Sequence, residues 1–189
     1  TLYCDDNQLT SLDLSQNTAL TYLNCENNQL TSLDLSQNTA LTYLYCDDNQ
    51  LTSLDLSQNT ALYNLHCRNN QLTSLDLSGA TALISIYADE NQLTNLDISN
   101  ITNLQSLHCN YNLLTTLDLG NASNQSLWIY TLHNPNLVCI SVDDPIWASS
   151  TFLVGQNISA WTSFSTDCQS EIIGCTDSTN INYDPLATF

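Results

Sequence analysis

The stretch LTYLNCENNQLTSLDLSQNTA, Leu20–Ala40, returns as LTYLYCDDNQLTSLDLSQNTA at Leu41–Ala61, with changes only at Asn24/Tyr45, Glu26/Asp47 and Asn27/Asp48. A chain that copies itself every 21 residues is read by its period first. Coils begin at Leu20, Leu41, Leu62, Leu83 and Leu104, and a partial coil precedes them. Leu23, Leu44, Leu65, Ile86 and Leu107 fall in register, and so do Asn28, Asn49, Asn70, Asn91 and Asn112. Leu30, Leu51, Leu72, Leu93 and Leu114 form a further column. One coil cannot bury its leucines alone, whereas stacked coils make a continuous core in which each touches the next. Alternation around Leu23 and Cys25 predicts one short strand per coil, and alternation around Leu33 and Leu35 a second. No segment has helical periodicity. The expected product is a β-rich, right-handed solenoid with two narrow parallel sheets and 21 residues per coil.

The registered positions spell LxxLxLxxNxL with cysteine in the third apolar slot, and each coil holds the pattern twice, as LTYLNCENN and LTSLDLSQN. In both respects residues 1–124 resemble the 21-residue leucine-rich repeats of secreted and surface proteins of the Bacteroidetes. The resemblance implies a leucine-rich-repeat solenoid of six coils, the first incomplete, straighter than horseshoes whose convex side is helical. Residues 125–168 read as a degenerate last coil and a cap. Leu137, Ile140 and Val142 keep a vestige of the pattern, and Trp147, Phe152, Trp161 and Phe164 suit the task of covering the last open coil. This segment opens on NPNLVCISVD and closes on FSTDC, which resembles the capping element that follows these bacterial repeats. Cys139 and Cys168 bracket it. A disulfide between them would contribute roughly 3 kcal/mol in the loop-entropy model and would imply an oxidising compartment; the other reading is two unrelated buried thiols.

Residues 169–189 read as a linker and the start of a truncated module. GCTDSTNINYDPLATF, Gly174–Phe189, resembles the opening of a short cysteine-containing module common in secreted Bacteroidetes proteins. The partner expected for Cys175 is missing, so the chain reads as a piece of a longer polypeptide. Asp177, Asn182 and Asp184 are candidates to give oxygens to calcium. Asp177-Ser178-Thr179 matches the O-glycosylation pattern known in that phylum, which makes Ser178 a candidate. Sequons at Asn100, Asn121, Asn124 and Asn157 would matter only in a eukaryotic secretory pathway.

Charge narrows the partners. Nineteen acidic residues face a single base, Arg68, for a formal net charge of −18. Nucleic acids and anionic membranes need cationic contacts, so both are excluded as expected partners. No run of 18 apolar residues exists to form a membrane-spanning helix. Cys4, Cys25, Cys46, Cys67 and Cys109 should point inward as small hydrophobes, since Ala88 fills the same slot in one coil. The registered asparagines should satisfy backbone groups at a sharp inward turn.

The outward positions differ between the two strands. On the second, Asp13, Asp34, Asp55, Asp76, Asp97 and Asp118 form one constant column, in which repulsion should raise some pKa values unless calcium or sodium screens it. On the first, one column reads Tyr3, Asn24, Tyr45, His66, Tyr87, His108 and the next Asp5, Glu26, Asp47, Arg68, Asp89, Asn110. Variable, tyrosine-rich positions on a rigid strand are what a binding surface requires, because tyrosine gives large area at low entropy cost. The candidate face is Tyr22, Tyr43, Tyr45, Asp47, His66, Arg68, Tyr87, Asp89, His108 and Tyr111, holding a protein or glycan. The competing reading is a structural spacer or a self-associating subunit of an extracellular assembly, which the near-identity of successive coils favours. Catalysis is not expected: no nucleophile–base pair, glycine-rich phosphate loop or metal-ligand spacing is present, and an open sheet offers no water-excluding pocket. No cofactor is expected beyond calcium.

Overall fold

The computed structural model describes residues 1–120, 127–146, 148, 157–166 and 168. In chain order its strands are β1 (Leu2–Tyr3), β2 (Tyr22–Asn24), β3 (Tyr43–Tyr45), β4 (Ser53–Asp55), β5 (Asn64–His66), β6 (Ser74–Asp76), β7 (Ser85–Tyr87), β8 (Ser106–His108), β9 (Thr116–Asp118), β10 (Trp128–Tyr130), β11 (Cys139–Ser141) and β12 (Ser163–Ser165). The first strand of each coil joins one seven-stranded parallel sheet in the order β1-β2-β3-β5-β7-β8-β10. Registers advance by one repeat at each step, Leu23 beside Leu44, Leu44 beside Leu65, and Leu65 beside Ile86. The second strands pair in two sections, β4 with β6, and β11 between β9 and β12, while the segment around Leu33 and Leu35, where alternation predicts a second strand, keeps its inward leucines without forming one. The chain is therefore a parallel β-solenoid of about seven turns and 21 residues per coil, closed at its C-terminal end by a Cys139–Cys168 disulfide with Cα atoms 5.6 Å apart.

Strands of three residues suffice in the seven-stranded sheet because the middle side chain of each is inside. Leu23, Leu44, Leu65, Ile86 and Leu107 have no exposed surface, and the slot two residues on is equally closed at Cys25, Cys46, Cys67, Ala88 and Cys109. The five ladder cysteines are free thiols. Burial pushes the Cys25 thiol up to about 12 and raises the Cys46, Cys67 and Cys109 thiols well above their ordinary value. Three of them lie within reach of the next coil's carbonyl oxygens, Cys4 at 3.4 Å, Cys25 at 3.5 Å and Cys46 at 3.2 Å.

Asparagines weld the coils together. The Asn49 amide nitrogen donates to the carbonyls of Cys25 (3.0 Å), Cys46 (3.3 Å) and Asp47 (3.1 Å), while its oxygen accepts the Leu30 N–H at 3.0 Å. Asn28, Asn70, Asn91 and Asn112 repeat this arrangement. A second column runs on the other side: Asn38 and Asn59 donate to carbonyls of the preceding coil, and Ala80 and Ile101 then take over the buried positions. The residue before each first-column asparagine adopts a left-handed conformation, from Asp6 (φ 53°) through Asn27, Asp48, Asn69, Glu90 and Tyr111 to His133 (φ 59°). Asp and Asn tolerate this region better than Glu, Tyr or His.

On the second face each aspartate closes a local turn. Its Oδ1 accepts a backbone N–H two residues on, at Ser15, Ser36, Ser57, Ser78, Ser99 and Gly120. The Ser backbone N–H and then the hydroxyl hold the Asp13 and Asp34 carboxyls below their ordinary value, and the hydroxyl and then the N–H do so at Asp55 and Asp97. The rise expected from mutual repulsion is thus reversed at these four positions, because a donated hydrogen bond acts on each carboxylate directly while its neighbours act through water.

One coil step on this face is unusually tight. A methyl group on Gly79 would lie 1.8 Å from the Ser57 carbonyl oxygen and 2.4 Å from its carbon, so backbone itself would have to move. Gly79→Ala is expected to lower stability by about 1–3 kcal/mol, as overpacking does. Urea denaturation measures it, and an unchanged midpoint would mean that these two coils separate freely.

Candidate binding face

The seven-stranded sheet carries a continuous row of rings. Parallel pairing at one register brings the last residue of β3, β5, β7, β8 and β10 side by side: Tyr45–His66 at 4.6 Å between centroids, His66–Tyr87 at 4.3 Å, Tyr87–His108 at 4.5 Å and His108–Tyr130 at 4.2 Å. At the N-terminal end the row is continued by Tyr22, 5.4 Å from Tyr45, and by Tyr3, 5.0 Å from Tyr22. The rings from Tyr45 to Tyr130 are half-buried, while Tyr43, Tyr63 and Trp128 flank them with 37%, 41% and 61% of their surface exposed. Tyr43 meets Tyr63 edge-on at 6.2 Å.

Beside the rings runs a charged column. Asp47 is 9% exposed; its Oδ1 accepts the Arg68 N–H at 2.6 Å and its Oδ2 lies 3.6 Å from His66 Nδ1. Asp89 accepts the backbone and side-chain N–H of Asn110 at 3.0 and 2.8 Å and faces Arg68 Nε at 3.0 Å. The Arg68 guanidinium carbon sits 4.4 Å from the Tyr87 ring centre. Glu26, Asp47 and His66 converge, with one ligand atom of each within 4.8 Å of the others. Two carboxylate oxygens and an imidazole nitrogen could serve a divalent cation. Burial, and then the Asp47 charge, raise the Glu26 pKa, with His66 opposing.

Of the ten candidate face residues, Tyr22, Tyr43, Tyr45, Asp47, His66, Arg68, Tyr87, Asp89 and His108 thus share one surface. Tyr111 stands apart in its left-handed turn (φ 53°), stacked on His133 at 4.1 Å. Tyr63, Trp128, Tyr130 and His133 were missed by sequence reasoning. The signal for the last three lies in LWIYTLHNPN, where Ile129, Thr131 and Asn134 keep the inward spacing after the period lengthens to 22. The calcium candidates Asp177, Asn182 and Asp184 and the glycosylation candidate Ser178 lie outside the described residues.

Burial, and then the positive charge of Arg68 and His66, lower the His108 pKa below 6.5, opposed by Asp89. A folded-state value below the unfolded one means stability that is present above pH 6.5 and is lost as pH falls through the folded value. His108→Gln is expected to flatten the melting temperature between pH 7 and about 5 relative to the parent chain. Parallel melting curves for the two proteins across that range would contradict this.

The stacked coils, the inward leucines and the asparagine column define a leucine-rich-repeat solenoid. Among solved structures it is similar to the functional domain of InlJ from Listeria monocytogenes, which includes a cysteine ladder: 40% identity over 75% of this chain and 34% of that one, TM-score 0.66. An internalin, InlF, of Listeria monocytogenes is similar at 25% identity over 80% of this chain and 44% of that one, TM-score 0.59. The leucine-rich effector YopM of Yersinia pestis is similar at 28% identity over 74% and 42%, TM-score 0.55. The chain therefore spans between 34% and 44% of the length of these structures. No family model and no curated protein matches the sequence. Among the described residues no helix is long and apolar enough to cross a membrane.

Proposed function

We propose that this chain is a non-catalytic recognition region of an exported bacterial protein, holding a protein or glycan on the face of the seven-stranded sheet. The observation that carries the reading is the row of rings from Tyr45 to Tyr130, flanked by exposed Tyr43, Tyr63 and Trp128. Rings fixed by strand pairing lose little entropy when a ligand covers them, and each brings apolar area with a polar tip. The Cys139–Cys168 disulfide supports an oxidising compartment, hence the cell surface or the secreted fraction. The resemblance of the repeat to those of Bacteroidetes surface proteins supports the same location. Nucleic acid is disfavoured by the −18 charge.

The test compares the parent chain with Tyr43→Ala and Tyr63→Ala on glycan arrays and against displayed surface proteins. Both side chains are exposed, so folding is retained. A partner bound by the parent and weakened at least ten-fold by these changes supports the face. A partner indifferent to both overturns it. Self-association that these substitutions abolish would move the role to a subunit of an extracellular assembly, the reading that the near-identical coils favour.

A further inference from the structure

The one cation of the chain shows what this face accepts. Arg68 reaches across a coil boundary, its guanidinium carbon 4.4 Å from the Tyr87 ring centre and its Nε 3.0 Å from Asp89 Oδ2. Ring and carboxylate stand two residues apart on the following coil, one attracting the cation through its π-face and the other through its charge. The same pair recurs two coils earlier as Tyr45 and Asp47, and the residue that occupies the register of Arg68 there is Glu26. So where one site brings its own guanidinium, the other brings a second carboxylate.

The surroundings compensate that charge only in part: His66 Nδ1 stands 3.6 Å from Asp47 Oδ2, and Asp47 Oδ1 accepts the Arg68 backbone N–H. Glu26 and Asp47 converge with His66, and Arg68 turns its side chain away toward Asp89. Tyr45 differs from Tyr87 on the side of the preceding coil, while His66 packs against it from the following coil at 4.6 Å. On the preceding coil the strand partner of Tyr87 is His66, at 4.3 Å, whereas that of Tyr45 is the smaller Asn24, and Tyr22 leans over from the next column at 5.4 Å with a 35° tilt. Burial first and then the Asp47 charge raise the Glu26 pKa, against the opposing effect of His66, as befits two carboxylates drawn together on a half-buried face.

We propose that Glu26, Tyr45 and Asp47 form a docking site for the guanidinium or ammonium group of an arginine or lysine on a partner protein. This rests on the recognition reading above and narrows its ligand to a protein with a basic segment. The cation takes at this coil the place that Arg68 takes two coils later, held by both carboxylates beside the Tyr45 ring. The charge of −18 adds long-range attraction for such a partner, and the site gives it register along the solenoid.

The probe is a fluorescein-labelled Gly/Ser peptide with three spaced arginines, against the same peptide with three citrullines, followed by anisotropy on the full chain at physiological salt. The arginine peptide is expected to bind at least ten-fold more tightly. Glu26→Gln, which relieves the repulsion on Asp47 and so keeps the fold, and Tyr45→Leu should each weaken it at least five-fold. Asp97→Asn makes the same change of charge on the opposite face and should stay within two-fold. Arg68→Gln frees the Tyr87–Asp89 pair and should add a second equivalent of peptide. Equal binding of the citrulline peptide, equal weakening by Asp97→Asn, or no gain from Arg68→Gln would each overturn the site. So would zinc binding lost in Glu26→Gln with no arginine preference, which would make the cluster a metal site instead. A partner lost on Tyr43→Ala and Tyr63→Ala but indifferent to Glu26→Gln refutes this site alone, whereas indifference to the tyrosine changes refutes the face itself.

Discussion

Replacing Asn49 with alanine is expected to remove on the order of 3 kcal/mol of stability, well beyond a typical single hydrogen-bond loss. The side chain is 8% exposed and touches three carbonyls and one N–H belonging to two adjacent coils. Water cannot replace it without prying the turn open, so the Leu30 N–H is left buried and alone and the Cys25 carbonyl keeps only the Asn28 amide. Asn59→Ala is the internal control. That amide makes two hydrogen bonds, its Oδ1 has no partner among the described residues, and the next coil already has Ala80 in the slot. Its loss should be about 1–2 kcal/mol. Because solenoid coils couple to nearest neighbours, native-state hydrogen exchange should place the Asn49 damage in the coils around Leu30 and Leu51. Equal losses at the two positions would mean that the first asparagine column is not the stronger clamp.

The second large effect is at the C-terminal end. Cys139→Ser with Cys168→Ser is expected to remove about 3 kcal/mol, the loop-closure contribution for two residues 29 apart. Cys139 opens β11, which is sandwiched between β9 and β12, so the bond pins the last strands over Ile140 and Val142. Without it the open end of the core should fray first, and exchange protection should fall at Leu117 and Leu119 while Leu44 stays protected. Identical urea midpoints for the double variant and the parent would show that packing alone closes this end.

The legible portion of this protein follows from its period. The inward leucines, the cysteine slot, the buried asparagines and both ladders can be read from LTYLNCENN and LTSLDLSQN, because a repeated coil puts the same residue in the same environment each time. The disulfide pair stood out as the cysteines that fall off the ladder beside a capping pattern. Three things were not legible. Tyr130 and His133 follow a coil of 22 residues, so their alignment with His108 and Tyr111 disappears from a fixed-period reading. The lowered carboxyls of the aspartate column depend on where the N–H and hydroxyl of each following serine point, which spacing does not encode. The cation-holding pair needed coordinates too, since Arg68 could equally have met Asp47 on the coil before.

Every ladder bond between coils points along the stacking direction, as does each amide clamp from Asn28 to Asn112. Tension applied to the two ends therefore loads these bonds head-on and in series, so the coils peel away singly. Each release turns a rise of about 4.8 Å into roughly 70 Å of extended chain for 21 residues. Loaded from its two ends, such a stack would act as a shock absorber, yielding stepwise and recoiling when the load is released.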